Sequence, residues 1–139
     1  MIIVVDASVV VKWLIEDPEH EADTETASRL MESIVKGEQS ALQPRHWIAE
    51  VAAVLSRTSA QTAADDVEML CALELPVADE LLVLPRACEL AVELKQHVFD
   101  TYYHAVALET ADAALITAED RYLRVARGKG RVVPLRDWQ

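Results

Sequence analysis

The 139-residue chain reads as an α/β protein, a mainly parallel sheet of four to five strands flanked by helices. Three observations predict this class. Ile2-Ile3-Val4-Val5 is an unbroken run of branched apolar residues, as expected of a strand buried on both faces. Ala114-Leu115-Ile116-Thr117 repeats that signature late in the chain. Segments of helical period fill most of the interval, and strand–helix alternation of this kind argues a parallel sheet with helical layers. Both runs end in carboxylates, Asp6 after the first and Glu119 and Asp120 after the second. Ligand sites of open α/β sheets lie just beyond the carboxyl ends of the strands. Asp6 is therefore the first candidate for chemistry.

The intervening elements follow in order. Residues 8–15 read as a short helix with Ser8 near its start, and 16–19, with Pro18, as a loop. Residues 20–36 read as an amphipathic helix: Ala27, Leu30, Met31 and Ile34 share one face, acids the other, and Gly37 suits a C-cap. Residues 39–42 form a short second strand ended by Pro44. Between Trp47 and Leu55 every residue is apolar except Glu50, which predicts a buried helix carrying one acid. An ionised carboxylate there requires either a structural partner or a cation. Residues 62–74 read as another helix, with Thr62 as a cap and Asp65, Asp66 and Glu68 in its early turns.

Pro76 ends that helix, and Leu81–Leu84 reads equally as a strand or a short helical turn. Pro85 suits a helix N-terminus and predicts a helix over 85–96. Val98–Leu108 reads as a helix with Asp100 in its first turn, where the dipole favours a carboxylate and an N-terminal cap is the structural explanation. Thr117 and Asp120 resemble a capping box, which explains Asp120 better than Glu119. A helix to about 125, a turn at Gly128 and Gly130, and an edge strand over 131–135 complete a single domain spanning 1–139.

Bulk properties narrow the function. Cys71 and Cys88 have neither zinc spacing nor the density of a disulfide framework. The first apolar stretch lacks a basic leader and meets an acid at position 6, so it reads as a strand rather than a signal peptide. No apolar run reaches the roughly 18 residues of a membrane span, and a soluble cytoplasmic protein is the expectation. The net charge of −11 argues against a nonspecific polyanion binder. Charge is uneven, however. Residues 16–38 carry eight acids and two bases, whereas 121–139 carry six bases (Arg121, Arg124, Arg127, Lys129, Arg131, Arg136) and one acid. That C-terminal stretch is either a solvated basic tail or a landing strip for phosphate.

A parallel sheet brings Asp6 and Glu119, with Asp120, to one edge. Asp100 and Glu50 are the further acids able to meet them. Four carboxylates without matching bases repel one another by several kcal/mol. Such a cluster suits a hard divalent cation, Mg²⁺ or Mn²⁺, with waters and substrate phosphate oxygens completing its shell. The matching chemistry is phosphodiester hydrolysis. Other polar residues have plainer explanations. His104, four after Asp100, is a wall or core residue or a proton shuttle. His20, His46 and His97 lack ligand spacing, Trp13 and Trp47 suit the core, and Lys12 and Arg45 are either solvated or phosphate contacts.

Val-Val-Asp6-Ala-Ser8, Glu50 in Trp-Ile-Ala-Glu-Val-Ala-Ala-Val-Leu, Phe-Asp100-Thr-Tyr-Tyr-His-Ala-Val-Ala-Leu and Leu-Ile-Thr117-Ala-Glu-Asp resemble the motifs of PIN-domain ribonucleases. The chain looks in particular like the VapC-type toxins of prokaryotic toxin–antitoxin pairs, over its whole length and in the family's motif order. The resemblance implies a PIN-like three-layer sandwich, a Mg²⁺- or Mn²⁺-dependent endoribonuclease, a homodimer, and a cognate VapB-type antitoxin that blocks the cleft. Carried over, Asp6, Glu50 and Asp100 match the principal acids and metal ligands, and Ser8 the small hydroxyl residue beside the first. The fourth position departs from the family's Thr-x-Asp: here it is Thr117-Ala118-Glu119-Asp120. Either Glu119 with its longer arm or Asp120 with a slight shift fills the place, and Glu119 is favoured.

The altered fourth motif leaves open a catalytically silent PIN-like module that binds RNA or a protein partner. A receiver domain is disfavoured because no Lys follows a late strand. A haloacid-dehalogenase-type phosphatase requires Asp-x-Asp at the first strand, where this chain has Asp6-Ala7-Ser8.

Overall fold

The computed structural model describes residues 1–15 and 22–139. The predicted loop at 16–19, the start of the helix placed at residue 20, and His20 lie outside the described residues. Four strands form one wholly parallel sheet in the order β2-β1-β3-β4: β1 (Ile2–Val5), β2 (Ser40–Ala41), β3 (Ala113–Thr117) and β4 (Val132–Pro134). Among the described residues seven α-helices flank it: α1 (Ala7–Leu14), α2 (Thr24–Val35), α3 (Trp47–Thr58), α4 (Ala63–Ala72), α5 (Glu80–Leu94), α6 (Val98–Glu109) and α7 (Asp120–Ala126). This is the predicted PIN-like α/β sandwich.

The central pair is built from the two apolar runs. Ile2 through Val5 stand in register with Ala113 through Ile116, and Ile3, Val4, Val5, Leu115 and Ile116 have no exposed surface. Helix α6 packs across β1 and β3, with α5 against it, while α1 contacts β3, α2 and α3. All but the ends of α6 is buried, from Thr101 to Ala107, which explains a sequence that is apolar on every side. Because β1 and β3 are parallel and in register, both release the chain at the same edge. The Asp6 amide extends the ladder by one bond, donating to the Ile116 carbonyl at 3.0 Å.

Helix ends follow from local sequence in most places. Gly37 (φ 78°) ends α2 with paired bonds, Gly37 N–H to Ile34 O and Glu38 N–H to Ser33 O, so the predicted glycine stop holds. Thr62 occupies the start of α4, but its side chain makes no capping bond. The region around residue 80 departs from expectation. Helix α5 starts at Glu80, capped by the Asp79 carboxylate accepting from Leu81 N at 2.9 Å, and Pro85 lies inside it. Leu81–Leu84 is therefore neither a strand nor an isolated turn. Proline loses only one internal bond here, because its fixed φ is already helical and the Asp79 cap has set the helix direction upstream.

Gln43 has a role that no sequence pattern announces. Strand β2 is only two residues long, so it cannot pair the end of β1. The fully buried Gln43 side chain takes over: its amide donates to Val5 O at 2.9 Å and its oxygen accepts from Val5 N at 2.8 Å. The residue preceding Asp6 is thus held on both sides, by β3 and by a side chain that imitates a strand.

Candidate active site

Asp6 is delivered to the sheet edge by β1 and is also the N-cap of α1. Its Oδ2 accepts from Ser8 N at 3.1 Å and from Ser8 Oγ at 2.5 Å. The same Ser8 oxygen accepts from Ala118 N at 3.1 Å, tying the β1–α1 corner to the chain leaving β3. Both bonds to Asp6 fall on one oxygen, which leaves Oδ1 for other use. Asp100 sits in the first turn of α6, but it is not the cap. His97 fills that place, its Nδ1 accepting from Phe99 N at 3.1 Å. Glu50 comes from α3 and Glu119 from the turn between β3 and α7.

Asp6, Glu50, Asp100 and Glu119 line one cavity of about 420 Å³, together with Ser8 and Lys12. Lys12 also donates to Ala22 O at 2.9 Å. The electrostatics register the crowding. Burial pushes Asp6 from 3.8 to about 7, opposed by the Ser8 hydrogen bonds and reinforced by Glu50 and Asp100. Asp100 is also raised, first by burial, then by Glu50 and Glu119. His46 Nε2 lies 3.6 Å from Glu50 Oε2. That nitrogen donates to the Phe99 carbonyl at 2.8 Å, so the proton is on Nε2 and His46 links the start of α3 to the first turn of α6.

A model of the PIN domain matches residues 3–128. The chain belongs to the PIN-domain family. Members of this family are generally nucleases. No curated protein matches the chain.

In this PIN domain the fourth acid has one occupant at the cavity and one turned away. Glu119 lines it, its amide held by Thr117 Oγ1 at 3.1 Å. Asp120 instead pairs with Arg136 at 2.8 Å on the surface. The expected capping box is therefore absent: Thr117 receives the Glu119 amide. Of the two readings of His104, the core one holds. It shares a helix face with Asp100 but lies one turn deeper, fully buried and away from the cavity. Its Nε2 donates to Gly130 O at 2.8 Å and its Nδ1 accepts from the Tyr122 hydroxyl at 2.9 Å. Burial lowers its pKa, so it is a neutral core residue rather than a proton shuttle. Arg45 pairs with Glu80, and Trp47 is in the core, with Trp13 packed on its margin.

Gln43, His46 and Tyr103 went unrecognised in the sequence. Burial, then Asp6 and Glu50, push the pKa of the Tyr103 hydroxyl well up, and Glu50 is the carboxylate close enough to interact with it as a hydrogen-bond acceptor.

The donor set fits a hard divalent cation in one binding mode. All four acidic donors are oxygen, and the Tyr103 hydroxyl lies beside Asp6 and Glu50. Among the described residues, however, no three His, Cys, Asp or Glu side chains are gathered as a closed metal-binding group. The acids ring a cavity instead of meeting at a point. Mg²⁺ is commonly held in that way, through one or two carboxylates plus waters and phosphate oxygens.

Proposed function

We propose that this PIN domain is a Mg²⁺- or Mn²⁺-dependent endoribonuclease and the toxin of a type II toxin–antitoxin pair. The observation that carries the reading is the convergence of Asp6, Glu50, Asp100 and Glu119, from four separate segments, on one cavity at the strand ends. Asp6 and Asp100 are the principal metal ligands, with Glu50 beside them and Glu119 in the fourth position. When bound, the cation supplies an activated water and a counter-charge for the phosphate in transit. Ser8 fixes the orientation of Asp6, and Thr117 fixes the backbone under Glu119. Burial, then Glu50 and Glu119, raise the pKa of Asp100, a repulsion that a bound cation would offset.

The toxin assignment rests on the family resemblance and on charge. A cavity ringed by four acids favours a guanidinium group, so an antitoxin tail carrying arginine is a chemically fitting inhibitor. The expected homodimer has support in an exposed apolar stripe on α5, where Leu81 (83% exposed), Pro85, Cys88 and Val92 (81%) recur at helical spacing. Among the described residues no helix is long and apolar enough to cross a membrane.

Cleavage of a single-stranded RNA tests the activity. The expected result is cleavage with Mg²⁺ or Mn²⁺, abolished by EDTA and by Asp6→Asn or Asp100→Asn. Variants that cleave as well as the wild type would refute the assignment. A small upstream gene, encoding a DNA-binding N-terminus and an arginine-bearing tail, tests the toxin role.

A further inference from the structure

A second cavity, of about 260 Å³, adjoins the acid ring. Asp100 and Glu119 line both cavities. The rest of the second cavity's lining includes three basic residues, Lys95, His97 and Arg121. We propose that this cavity is a phosphate subsite that holds the backbone phosphate of single-stranded RNA next to the one being cleaved. The inference rests on the endoribonuclease reading and adds to it the place where substrate is gripped.

Each basic group is set by backbone structure. Lys95 ends α5 in the left-handed conformation (φ 56°), which turns the chain at the cavity rim. Arg121 occupies the first turn of α7, directly after Glu119 and Asp120. His97 uses Nδ1 to accept from Phe99 N, so its proton is on Nε2 and that N–H is free to donate. Neither Lys95 nor Arg121 has an acid partner among the described residues, although two acids line the same cavity. The cavity is thus lined by two cations without an acid partner among the described residues and by two carboxylates of the acid ring.

The rest of the basic C-terminal stretch is committed elsewhere or lies off the cavity. Lys129 pairs with Glu93, Arg136 with Asp120, and Arg131 donates to the carbonyls of Ala107 and Thr110. Arg121 is the one member of that stretch that lines the second cavity. A chain of net charge −11 repels polyanions on average, so binding requires local cations that the acids have not neutralised. Phosphate contacts of this kind position a strand without reading its bases.

The test separates gripping from cutting. In an Asp6→Asn background, binding of a fluorescent single-stranded oligoribonucleotide is measured by anisotropy in Mg²⁺ across a salt series. Adding Lys95→Ala and Arg121→Ala is expected to weaken binding about tenfold and to flatten the log Kd against log salt slope by about 0.7, the share of one phosphate on a single strand. Arg121→Lys retains most of the affinity. Arg124→Ala, an equal charge change one turn along α7 and outside both cavities, leaves affinity and slope at the parent values. Thermal melts of each variant establish that it is folded. An Arg121/Lys95 double variant that binds like the parent, or no better separated from it than Arg124→Ala, overturns the subsite. Wild-type cleavage is assayed in parallel. Cleavage with binding indifferent to both residues removes the subsite alone, binding through them without cleavage removes the nuclease reading alone, and no binding at all removes both.

Discussion

Replacing Asp6 by Asn removes the first acid of the candidate site and is expected to make the metal-free protein more stable. Asp6 is 7% exposed and its pKa is raised from 3.8 to about 7. Below pH 3.8 it is protonated whether the chain is folded or not. Between 3.8 and about 7 the folded state keeps a proton that the unfolded state has released, so stability falls as pH rises through this window. Above 7 the full loss is in place. At ~1.4 kcal/mol per pKa unit, the rise corresponds to about 4 kcal/mol at pH 8. Asparagine has the same shape, and its carbonyl oxygen can accept both Ser8 bonds, so little is lost in exchange.

The assay is thermal melting of wild type and Asp6→Asn in EDTA at pH 5 and pH 8. The expected gap at pH 8 is about 10 °C in favour of the variant, at roughly 3 °C per kcal/mol for a chain of this size. At pH 5 the folded carboxyl is protonated but the unfolded one is ionised, so only about 1.2 of the ~3 pKa units of loss is in place and the gap shrinks to about 4 °C. Comparing the two proteins at each pH cancels the titration of the groups that do not interact with Asp6. Added Mg²⁺ is then expected to raise the wild type and leave the variant unmoved, by linkage to a site only one of them has. A variant no more stable than wild type at pH 8, or a gap independent of pH, would show that Asp6 is not a strained buried charge.

Two further outcomes discriminate among particular residues. Glu119→Gln is expected to lower RNA cleavage about tenfold or more, whereas Asp120→Asn stays within about twofold, because only Glu119 lines the acid cavity. Equal losses from both changes, measured as initial rates on one RNA, would reject this ordering. Gln43→Leu leaves the Val5 N–H and C=O buried and unpaired, and is expected to cost about 2–4 kcal/mol. Urea unfolding midpoints measure it, and a loss under about 0.5 kcal/mol would mean that water or a shifted strand replaces the amide.

What could be read from the sequence tracks how local the cause is. β1 and β3 were legible because a buried parallel strand needs nothing but a run of branched apolar residues. The strand-end position of Asp6 and of Glu119 followed from those runs and the parallel direction. Helix α5 was misplaced because Pro85 is a strong local signal for a start, whereas the effective start, the Asp79 cap, is a weaker one and lies upstream. The face-sharing of Asp100 and His104 was read properly, yet α6 is enclosed along its middle, so the same face passes from cavity to core within one turn. Gln43 and His46 were illegible for a different reason. Each acts on a partner about 40 to 50 residues away, Val5 (38 residues) and Phe99 (53), and neither separation leaves a periodic trace.

The positions of these long-range bonds explain how a repulsive site can be built at all. Each acid stands on backbone that something else has fixed. Val5, before Asp6, is clamped by the Gln43 amide; Ser8 bridges Asp6 to Ala118; Thr117 holds the Glu119 amide; His97 caps the helix that presents Asp100; His46 spans from Glu50 to the backbone at Phe99. None of these bonds neutralises an acid with a lysine or arginine. They oppose displacement of the carboxylates without offsetting their charge, so the repulsion remains in the folded state as affinity for a counter-ion. A salt bridge in place of any one of them would stabilise the fold and abolish that affinity. Lys12 lines the acid cavity itself, whereas Lys95 and Arg121 line the adjoining one, where the proposed phosphate contact would not discharge the acids.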